Sequence, residues 1–518
     1  MSRKIKLQLN RVEGDLEIEL EVTDGIVTNA WCIGTMYRGF EQILIGRTAM
    51  DALAITPRIC GICSTAHLYA SVLAIESIAK VTPPANAIRV RNICLLSEEI
   101  QSDCRQSFLM FTPDLCHLHY QNQLDYARIV ELFEDLKGEI YQGAIIHSRA
   151  IIEIVAIFGG QWPHSSYMVP GGVTSLPDQR KVLNALSQVK KYIQWFEQQV
   201  LATSLQEWLN LSTLEQLDRY AENTDSAMAL LHRFCRSLSL DQVGDGANLL
   251  MSYGSIINPE EPDQHYRQAG VLDLSAGQSP QSQSKSASLP YLQPQSQTQA
   301  LDPSLIQEDI AFSWFHDDSA QARHPAQGLT QPKYDPDSDK YTWAKAPRYD
   351  GRVVQTGAVA QLAVAGDALI LDLLTKLGST TWVRQFARIH RQASSLLHLA
   401  EHLESLLQNI DAPTMVPCPL EDGDGVGMIE AARGSLGHWM SVREGKITNF
   451  QVITPTSWNA SPRDSDQQPG HIEQSLVGLS IPDPDDPLEV GHVVRSHDPC
   501  LVCTVHLLDG GQKHRFGA

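Results

Sequence analysis

The chain has 518 residues, of which 60 are acidic and 40 are basic, and its net charge is −20. A strongly acidic protein lacks the basic face that nucleic acid requires, so we expect no nucleic-acid partner. At about 150 residues per domain the length predicts roughly three domains. The charged fraction of 19% is below the usual ~25%, which favours a surface partly buried against a partner.

The N-terminus (MSRKIKLQLNRVEGD) becomes charged at once and has no apolar signal core. No apolar run approaches the ~20 residues of a transmembrane helix. We therefore predict no transmembrane segment and a cytoplasmic protein, with attachment to a membrane only through a partner. Residues 4–31 predict strands, because Ile5, Leu7 and Leu9 alternate with polar residues and Asp24-Gly25 is a turn signal.

From about residue 64 to 255 the pattern is helical, with long stretches at 86–111, 123–158 and 178–208. Residues 276–304 are rich in Gln, Ser and Pro and predict a low-complexity insertion or surface loop, with a domain linker as the alternative. Helices return at 358–410, and short strands with loops follow residue 440, including Thr448 to Val452 and Leu501 to Leu508. The predicted class is α+β, predominantly helical.

Ten cysteines are too few for a disulfide scaffold, so free thiols or metal ligands are expected. Six are scattered and predict small buried side chains: Cys32, Cys94, Cys104, Cys116, Cys235 and Cys418. The other four form two pairs of the same spacing, Cys60-x-x-Cys63 and Cys500-x-x-Cys503.

Three kinds of site could use these pairs. A structural zinc site would need four thiolates, but zinc modules draw them from nearby sequence, and here 437 residues separate Cys63 from Cys500. A thioredoxin-type disulfide belongs in a βαβ unit, which neither pair has around it. A soft-metal catalytic centre would require both ends of the chain to meet in the core.

The flanking residues distinguish these interpretations. The first pair lies in Arg58-Ile-Cys-Gly-Ile-Cys-Ser-Thr-Ala-His67 and the second in Asp498-Pro-Cys-Leu-Val-Cys-Thr-Val-His506. Together with Arg11-Val-Glu-Gly14, Arg38-Gly-Phe-Glu41 and Arg433-Gly-Ser-Leu-Gly-His-Trp439, they resemble the large subunit of nickel–iron hydrogenases. The resemblance extends over nearly the whole chain except the 258–340 region.

The family resemblance implies one large body, with a central helix bundle and small peripheral sheets, whose two terminal CxxC motifs meet at a buried metal centre. It implies that Cys60, Cys63, Cys500 and Cys503 bind nickel, and that Cys63 and Cys503 also bridge to iron. A thiolate can bridge two soft metals because it has spare lone pairs. Cyanide and carbon monoxide would complete the coordination of the iron.

The resemblance also assigns roles to acidic and basic residues. Glu13 matches the glutamate that carries protons away from the terminal cysteine, here Cys500. Arg433 matches an arginine suspended over the metals, held in place by Asp103 and Asp498. A guanidinium almost never loses its proton, so a role for Arg433 as a base would need special surroundings.

Six further residues match family positions. Arg58 is expected to support the metal ligands, and His67 to hydrogen-bond a bridging sulfur. Thr456 matches a hydroxyl donor to a cyanide ligand. Glu41, the backbone carbonyl of Val452 and His506 match a magnesium site, although imidazole is an unusual ligand beside the oxygens that magnesium prefers.

The implied function is the heterolytic cleavage of H2 to protons and electrons. The chain has no further cysteine cluster for iron–sulfur centres, so we expect an iron–sulfur small subunit as partner, with His164 near the interface. The segment from Gln101 to Asp114 is similar to the cytosolic uptake-type and hydrogen-sensing branch. The alternatives are a regulatory hydrogen sensor with low turnover and a non-catalytic zinc protein; the related respiratory quinone-oxidoreductase subunits lack these cysteines.

The end of the chain predicts maturation. Family members carry an extension that an endopeptidase removes after the histidine once insertion factors have delivered nickel, which implies a mature domain of 1–506 and a discarded 507–518. The chain departs from the family at one segment: where members commonly read Glu-Val-Gly-Pro-Leu-Ala-Arg, it reads Gln355-Thr-Gly-Ala-Val-Ala-Gln361.

Overall fold

The structure is a computed structural model that describes residues 2–175, 177–275, 298–316 and 322–504, with Cys503 and Thr504 described by their backbone. His506, the extension 507–518 and most of the predicted insertion, residues 276–297, lie outside the described residues.

The strands are β1 (Ser2–Gln8), β2 (Leu16–Thr23), β3 (Ile26–Gly34), β4 (Met168–Val169), β5 (Gly172–Val173), β6 (Leu249–Ser252), β7 (Ser255–Ile257), β8 (His265–Arg267), β9 (Gly270–Asp273), β10 (Thr298–Gln299), β11 (Ile306–Asp309), β12 (Ala346–Tyr349), β13 (Val354–Gln355), β14 (Gly423–Ala431), β15 (Gly434–Arg443) and β16 (Lys446–Ile453). The helices are α1 (Phe40–Leu44), α2 (Ala49–Ile55), α3 (Ser64–Ala79), α4 (Ala85–Arg105), α5 (Tyr126–Phe133), α6 (Glu139–Gly159), α7 (Gln179–Trp195), α8 (Leu205–Leu209), α9 (Leu214–Asn223), α10 (Ala227–Ser237), α11 (Ala358–Val364), α12 (Ala368–Leu377), α13 (Thr381–Gln408), α14 (Pro455–Asn459), α15 (His471–Leu476), α16 (Leu488–Ser496) and α17 (Leu501–Thr504).

The N-terminal strands form an antiparallel sheet in the order β1-β2-β3. Along β2 the apolar residues Leu16, Ile18, Leu20 and Val22 are buried and alternate with half-buried polar ones. The strands predicted at 4–31 are confirmed. The physical reason is that alternation with a period of two places one face of a strand against the core.

The centre of the molecule is a bundle in which α4 packs against α6 and α13, and α7 packs against α6 and α13. The predicted helices at 86–111 and 358–410 are confirmed, whereas the segment 123–158 divides into α5 and α6. One hydrophobic core extends from Phe40 to Val452 and includes side chains from every helix of this bundle. The short sheets lie around it, in agreement with a predominantly helical α+β protein.

The sheet β14-β15-β16 packs on α3 at unusually close range. A Cβ atom added at Gly427 would lie 1.8 Å from the carbonyl oxygen of Ala70, so only glycine allows this approach. The close packing brings the β14–β15 turn, which carries Arg433, over the N-terminal end of α3.

Three predicted segments differ from the structure. The helical region ends at Ser237 rather than near 255. Residues 249–257 instead contain β6, which belongs to the sheet β10-β9-β6-β13, and β7, which belongs to the hairpin β7-β8. Thr298–Gln299, inside the predicted low-complexity segment, pairs with β9. Leu501–Thr504, predicted as a strand, is a helical turn that begins directly after the β-bridge between Glu13 and Cys500.

Within the described ranges, α6 is the single helix long and apolar enough to cross a membrane. The bent pair α11 and α12, kinked by 115°, meets the same criterion only if it is taken as one span. Since α6 packs against α4, α5 and α7, we assign it to the helix bundle.

Candidate metal centre

Three cysteine side chains from opposite ends of the chain meet in the core. Cys60 lies in the loop before α3, Cys63 is the N-cap residue of α3, and Cys500 lies just before α17. Their Sγ atoms all lie within 4.8 Å of one another, and those of Cys60 and Cys500 are 3.6 Å apart. All three residues are at most 5% exposed.

Cys503 lies in α17, three residues after Cys500. Its backbone is therefore about one helical turn further along the chain than that of Cys500. Its side chain lies outside the described part, and its role as the fourth ligand stays a prediction.

Backbone pairing joins the two ends of the chain at this point. Glu13 and Cys500 form a parallel bridge, in which Leu501 N donates to Glu13 O at 2.7 Å and Glu13 N donates to Pro499 O at 3.3 Å. Gly14 has φ +83°, and a Cβ atom there would lie 2.8 Å from Val502 N. The glycine after Glu13 is therefore required by the close approach of the C-terminal segment.

Arg38 connects the two CxxC segments. Its Nη1 donates to the carbonyl oxygens of Ile59 at 2.6 Å and Val502 at 3.2 Å, and its Nη2 donates to the carbonyl oxygen of Arg58 at 2.8 Å. Sequence reasoning recognised the segment around Arg38 but assigned this side chain no function, because backbone acceptors leave no sequence pattern.

We expect Arg38→Ala to loosen the contact between the two metal-binding segments. Hydrogen bonds to a charged group are worth about 1.5–3 kcal/mol, and several are lost together. Nickel content per chain and the Tm of the purified protein should both fall, while Arg47→Ala, which removes an exposed arginine bonded to Ile43 O, serves as the control. Unchanged nickel content in Arg38→Ala would contradict the role of Arg38.

Arg433 lies against the cysteine cluster and pairs with Asp498, with Nε 3.1 Å from Asp498 Oδ1. Burial lowers the pKa of Arg433, but the negative charges of Asp498 and the cysteine thiolates outweigh burial and raise the pKa well above its ordinary value. Nη1 is buried and has no hydrogen-bond acceptor among the described residues, whereas Nε contacts Asp498 as an ion pair without hydrogen-bond geometry. The guanidinium is thus a fixed positive charge with spare donors.

Asp103 does not hold Arg433 directly, which corrects the prediction. Its carboxylate accepts two hydrogen bonds from Arg391, from Nε at 2.9 Å and Nη2 at 2.7 Å. Nη2 of Arg391 also donates to the carbonyl oxygen of Ala432 at 2.5 Å. Asp103 is thus bonded to Arg391 on α13, and Arg391 in turn is bonded to the backbone of Ala432. Asp103 therefore positions Arg433 indirectly, through the residue that precedes it.

Glu13 lines a small cavity together with Ser102, Arg105, Arg433 and Asp498. Burial raises the pKa of Glu13, and the nearby thiolate of Cys60 raises it further. A carboxylate beside the cysteines and a cavity is placed to take up a proton and pass it on.

We expect Glu13→Gln to lower H2-dependent dye reduction strongly while nickel and iron contents stay at the level of the unchanged protein. The amide keeps the shape of the side chain but cannot accept a proton, so the lost step is proton removal. The measurement is dye reduction against metal content in the same preparation, with Glu17→Gln on the first sheet as control. Equal activity in Glu13→Gln would mean that protons leave by another group.

His67, one helical turn after Cys63, hydrogen-bonds His438 through Nδ1 at 3.1 Å. His438 continues to Ser71 Oγ at 2.9 Å, and burial lowers the pKa of His67 to about 4. Because Nδ1 is engaged, Nε2 is the nitrogen left for a sulfur, and that hydrogen bond stays a prediction. His438 was present in a recognised segment, but only the tertiary structure shows its contact with His67.

Two other predicted residues have different outcomes. Thr456 Oγ1 accepts a hydrogen bond from Cys500 N at 2.9 Å, so its hydroxyl proton remains available for a second group near the cluster. Arg58 was predicted to support the metal ligands, but its side chain is exposed and donates to Ala54 O on α2. Only its backbone carbonyl takes part in the support of the cluster, through Arg38.

Glu41 and Val452 meet at the outer edge of β16. Val452 N donates to Glu41 Oε1 at 2.9 Å, and the carbonyl of the same residue points to the same edge of the strand. Lys345 Nζ lies 3.2 Å from Glu41, 3.4 Å from Glu308 and 2.7 Å from the Gln451 side chain. The oxygens of Glu41, Glu308 and Gln451 surround a positive charge, and oxygen ligands are those that a hard cation such as magnesium prefers. The third predicted ligand, His506, lies outside the described residues.

The donor set of the cysteine cluster fits soft metals. Three buried thiols converge within bonding distance of a common centre, and in the described ranges this is the single group of three or more Cys, His, Asp or Glu side chains so arranged. A disulfide would use two sulfurs at bonding distance, whereas Cys60 and Cys500 are 3.6 Å apart. Arg433 interacts with the charges of these cysteines and has an unsatisfied buried donor, Nη1, which suits anionic ligands on such metals.

Comparisons with known proteins agree with this geometry. Residues 38–139 and 135–506 match the family model described as nickel-dependent hydrogenase. The chain is 31% identical to the periplasmic [NiFeSe] hydrogenase large subunit of Desulfomicrobium baculatum, covering 99% of this chain and 97% of that protein. It is 29% identical to the hydrogenase-2 large chain of Escherichia coli, with 98% of each chain covered.

The uptake hydrogenase large subunit of Rhodobacter capsulatus is 28% identical over 96% of this chain and 94% of its own length. Among solved structures, the H2-activated [NiFeSe]-hydrogenase of Dm. baculatum superposes with a TM-score of 0.81 at 29% identity, covering 98% of this chain and all of that one.

Proposed function

The chain belongs to the nickel-dependent hydrogenase family and is an oxidoreductase, and from this premise we propose that it is the catalytic large subunit of an uptake-type nickel–iron hydrogenase. It would cleave H2 heterolytically and pass the electrons to an iron–sulfur small subunit. The observation that carries the proposal is the buried cluster of Cys60, Cys63 and Cys500 beneath Arg433.

The cluster would hold nickel and, through Cys63 and Cys503, an iron with cyanide and carbon monoxide ligands; these metals would supply the polarisation and two-electron chemistry that H2 requires. The residues of the chain would do the rest. Arg433, fixed by Asp498, would hold positive charge over the cluster in a water-poor pocket. Glu13 would take the proton from Cys500 and release it toward the adjacent cavity, and Thr456 would donate to a cyanide.

The electrons must be carried away from the metals, which iron–sulfur clusters could do. Within the described residues, the other cysteines do not lie together in a group that could hold such a cluster. We infer an iron–sulfur small subunit seated near the Cys60–Cys63 loop. The segment around His164 packs on that loop, since His164 Nδ1 lies 2.9 Å from Pro57 O and His164 N donates to Ser64 Oγ at 3.3 Å.

An uptake function is supported by the similarity to the uptake hydrogenase large subunit of Rhodobacter capsulatus and by the Gln101–Asp114 segment. The second candidate is a hydrogen sensor, which would use the same site with low turnover. We further propose a cytoplasmic location, magnesium at Glu41, Val452 and His506, and removal of residues 507–518 after nickel insertion.

The test is co-expression of the chain with its small subunit and assay of H2-dependent dye reduction. We expect about one nickel and one iron per chain, infrared bands of cyanide and carbon monoxide, and an intact mass that ends at His506. Zinc in place of nickel and no infrared bands would refute the proposal. Low turnover with intact bands would favour the sensor, and an active form that retains 507–518 would refute the maturation step.

A further inference from the structure

A second polar cavity lies where α13 meets β13, α11, α14 and the residue that follows α16. It is lined by Gln355, Thr356, Arg384, Arg388, Asn459 and His497, together with Ala358 and Val359. Its volume is about 10 Å³, which is the space of about one water-sized occupant.

Two arginines of α13 line this cavity without an ion pair. Arg384 and Arg388 are 3% and 4% exposed, and in the described part of the chain no carboxylate oxygen lies within 4 Å of either guanidinium. Arg384 Nη2 and Arg388 Nε are buried with no hydrogen-bond acceptor among the described residues. A buried charge without a partner is costly, so the site calls for negative charge.

The nearest carboxylates are used elsewhere. Asp103 is bonded to Arg391, and Asp498 is paired with Arg433. Asp245 accepts hydrogen bonds from the backbone N–H groups of Ser379 and Gly246, both at 3.1 Å. Burial lowers the pKa of Arg384 to about 9 and also lowers that of Arg388, and it outweighs the opposing charges of Asp245 on Arg384 and of Asp498 and Asp103 on Arg388.

Other lining side chains have unused polar atoms as well. Gln355 Oε1, Thr356 Oγ1 and His497 Nδ1 are buried without a partner within the described ranges. A hydroxyl and an imidazole N–H can both donate to an anion. Gln355 Oε1 is an acceptor and does not favour an anion, whereas Thr356 and His497, together with the two guanidinium groups, can donate hydrogen bonds to an occupant of the cavity.

Gln355 is a neutral side chain in the lining of the cavity, and its amide has the shape of a carboxylate without the charge. The cavity therefore combines two guanidinium groups with an uncharged side chain.

We propose that this cavity binds one small monovalent anion, chloride in an ordinary buffer, between Arg384 and Arg388. The anion holds the turn that carries Asp498: Arg388 Nη1 donates to Ser496 O, and Arg384 Nε donates to Ser496 Oγ at 2.9 Å. Through that turn the bound anion stabilises the position of Asp498 and, with it, Arg433. Anion binding in this cavity does not itself require the metals to be present.

The test uses the purified two-subunit enzyme in buffers of equal ionic strength containing chloride, bromide or the larger anion gluconate. The Tm should rise with chloride or bromide concentration and level off, because an anion that binds only the folded state stabilises it by mass action. Crystals soaked in bromide should show an anomalous peak between the two guanidinium groups. Gluconate should not raise the Tm.

Gln355→Glu supplies the charge covalently, so the variant should lose both the bromide peak and the halide dependence and should match the chloride-saturated Tm in gluconate. Gln361→Glu adds the same charge on α11 next to Arg267 rather than in the cavity, and its halide dependence should persist. A Tm that does not respond to halide, or density for water or a carboxylate of the chain in the cavity, would overturn the proposal. Because neither readout requires H2 oxidation, failure of the hydrogenase assignment would be seen separately.

Discussion

Cys500→Ser is expected to abolish H2-dependent dye reduction and to leave the purified chain without nickel. Cys500 is fully buried, and its Sγ lies 3.6 Å from Cys60 Sγ, so its replacement removes a sulfur from the centre of the cluster. A serine hydroxyl is a harder ligand than a thiolate and stays protonated at neutral pH, so it binds soft metals poorly. Nickel and iron contents, measured together with activity, give the result.

Cys94→Ser is the matched control for this change. Cys94 is also fully buried, but it belongs to the hydrophobic core and lies outside the cluster. It should retain metals and activity and lose only some stability. Nickel retained at the normal level in Cys500→Ser, or lost equally in Cys94→Ser, would refute the role of Cys500 as a ligand.

Arg433→Lys is expected to reduce H2 oxidation by about 10²–10³-fold while metal contents stay unchanged, the range found when one fixed charged or hydrogen-bonding group is removed from a reaction centre. Lysine keeps the charge, but it is a flexible point charge and does not reproduce the planar donors that Arg433 presents. Its pairing with Asp498 would also change, since Nε of Arg433 makes that contact at 3.1 Å. Dye reduction per nickel atom is the measurement.

The control is Arg443→Lys, because Arg443 ends the strand that follows Arg433 and forms an exposed pair with Asp424. It should leave dye reduction unchanged. Full activity per nickel in Arg433→Lys would show that only the charge, and not the geometry of the guanidinium, matters at this position.

Much of the metal centre could be predicted from the sequence because the chemistry requires particular residue types at fixed spacing. Only thiolates meet the need for soft bridging ligands, and the two CxxC pairs with their flanks appear in the sequence as such. The three described cysteines do meet in the core. The N-terminal sheet was equally predictable, since alternation with a period of two is visible without a structure.

The partners of the buried charges were not predictable in this way. Several carboxylates and arginines lie close together in the core, and a sequence does not tell which of them pair. The structure pairs Asp103 with Arg391 rather than Arg433, directs Arg58 outward, and uses Arg38 as the link between the two cysteine segments.

By itself the sequence determined the helical class, because a helical period is visible without a structure. Its two CxxC pairs allowed several kinds of site, and their flanks, through the resemblance to nickel–iron hydrogenases, implied that both ends of the chain meet at a metal centre. Only the tertiary structure decided which charges balance one another and that Arg384 Nη2 and Arg388 Nε have no hydrogen-bond acceptor among the described residues. The physical reason is that burial makes an ion pair depend on distances of a few ångströms between residues hundreds of positions apart.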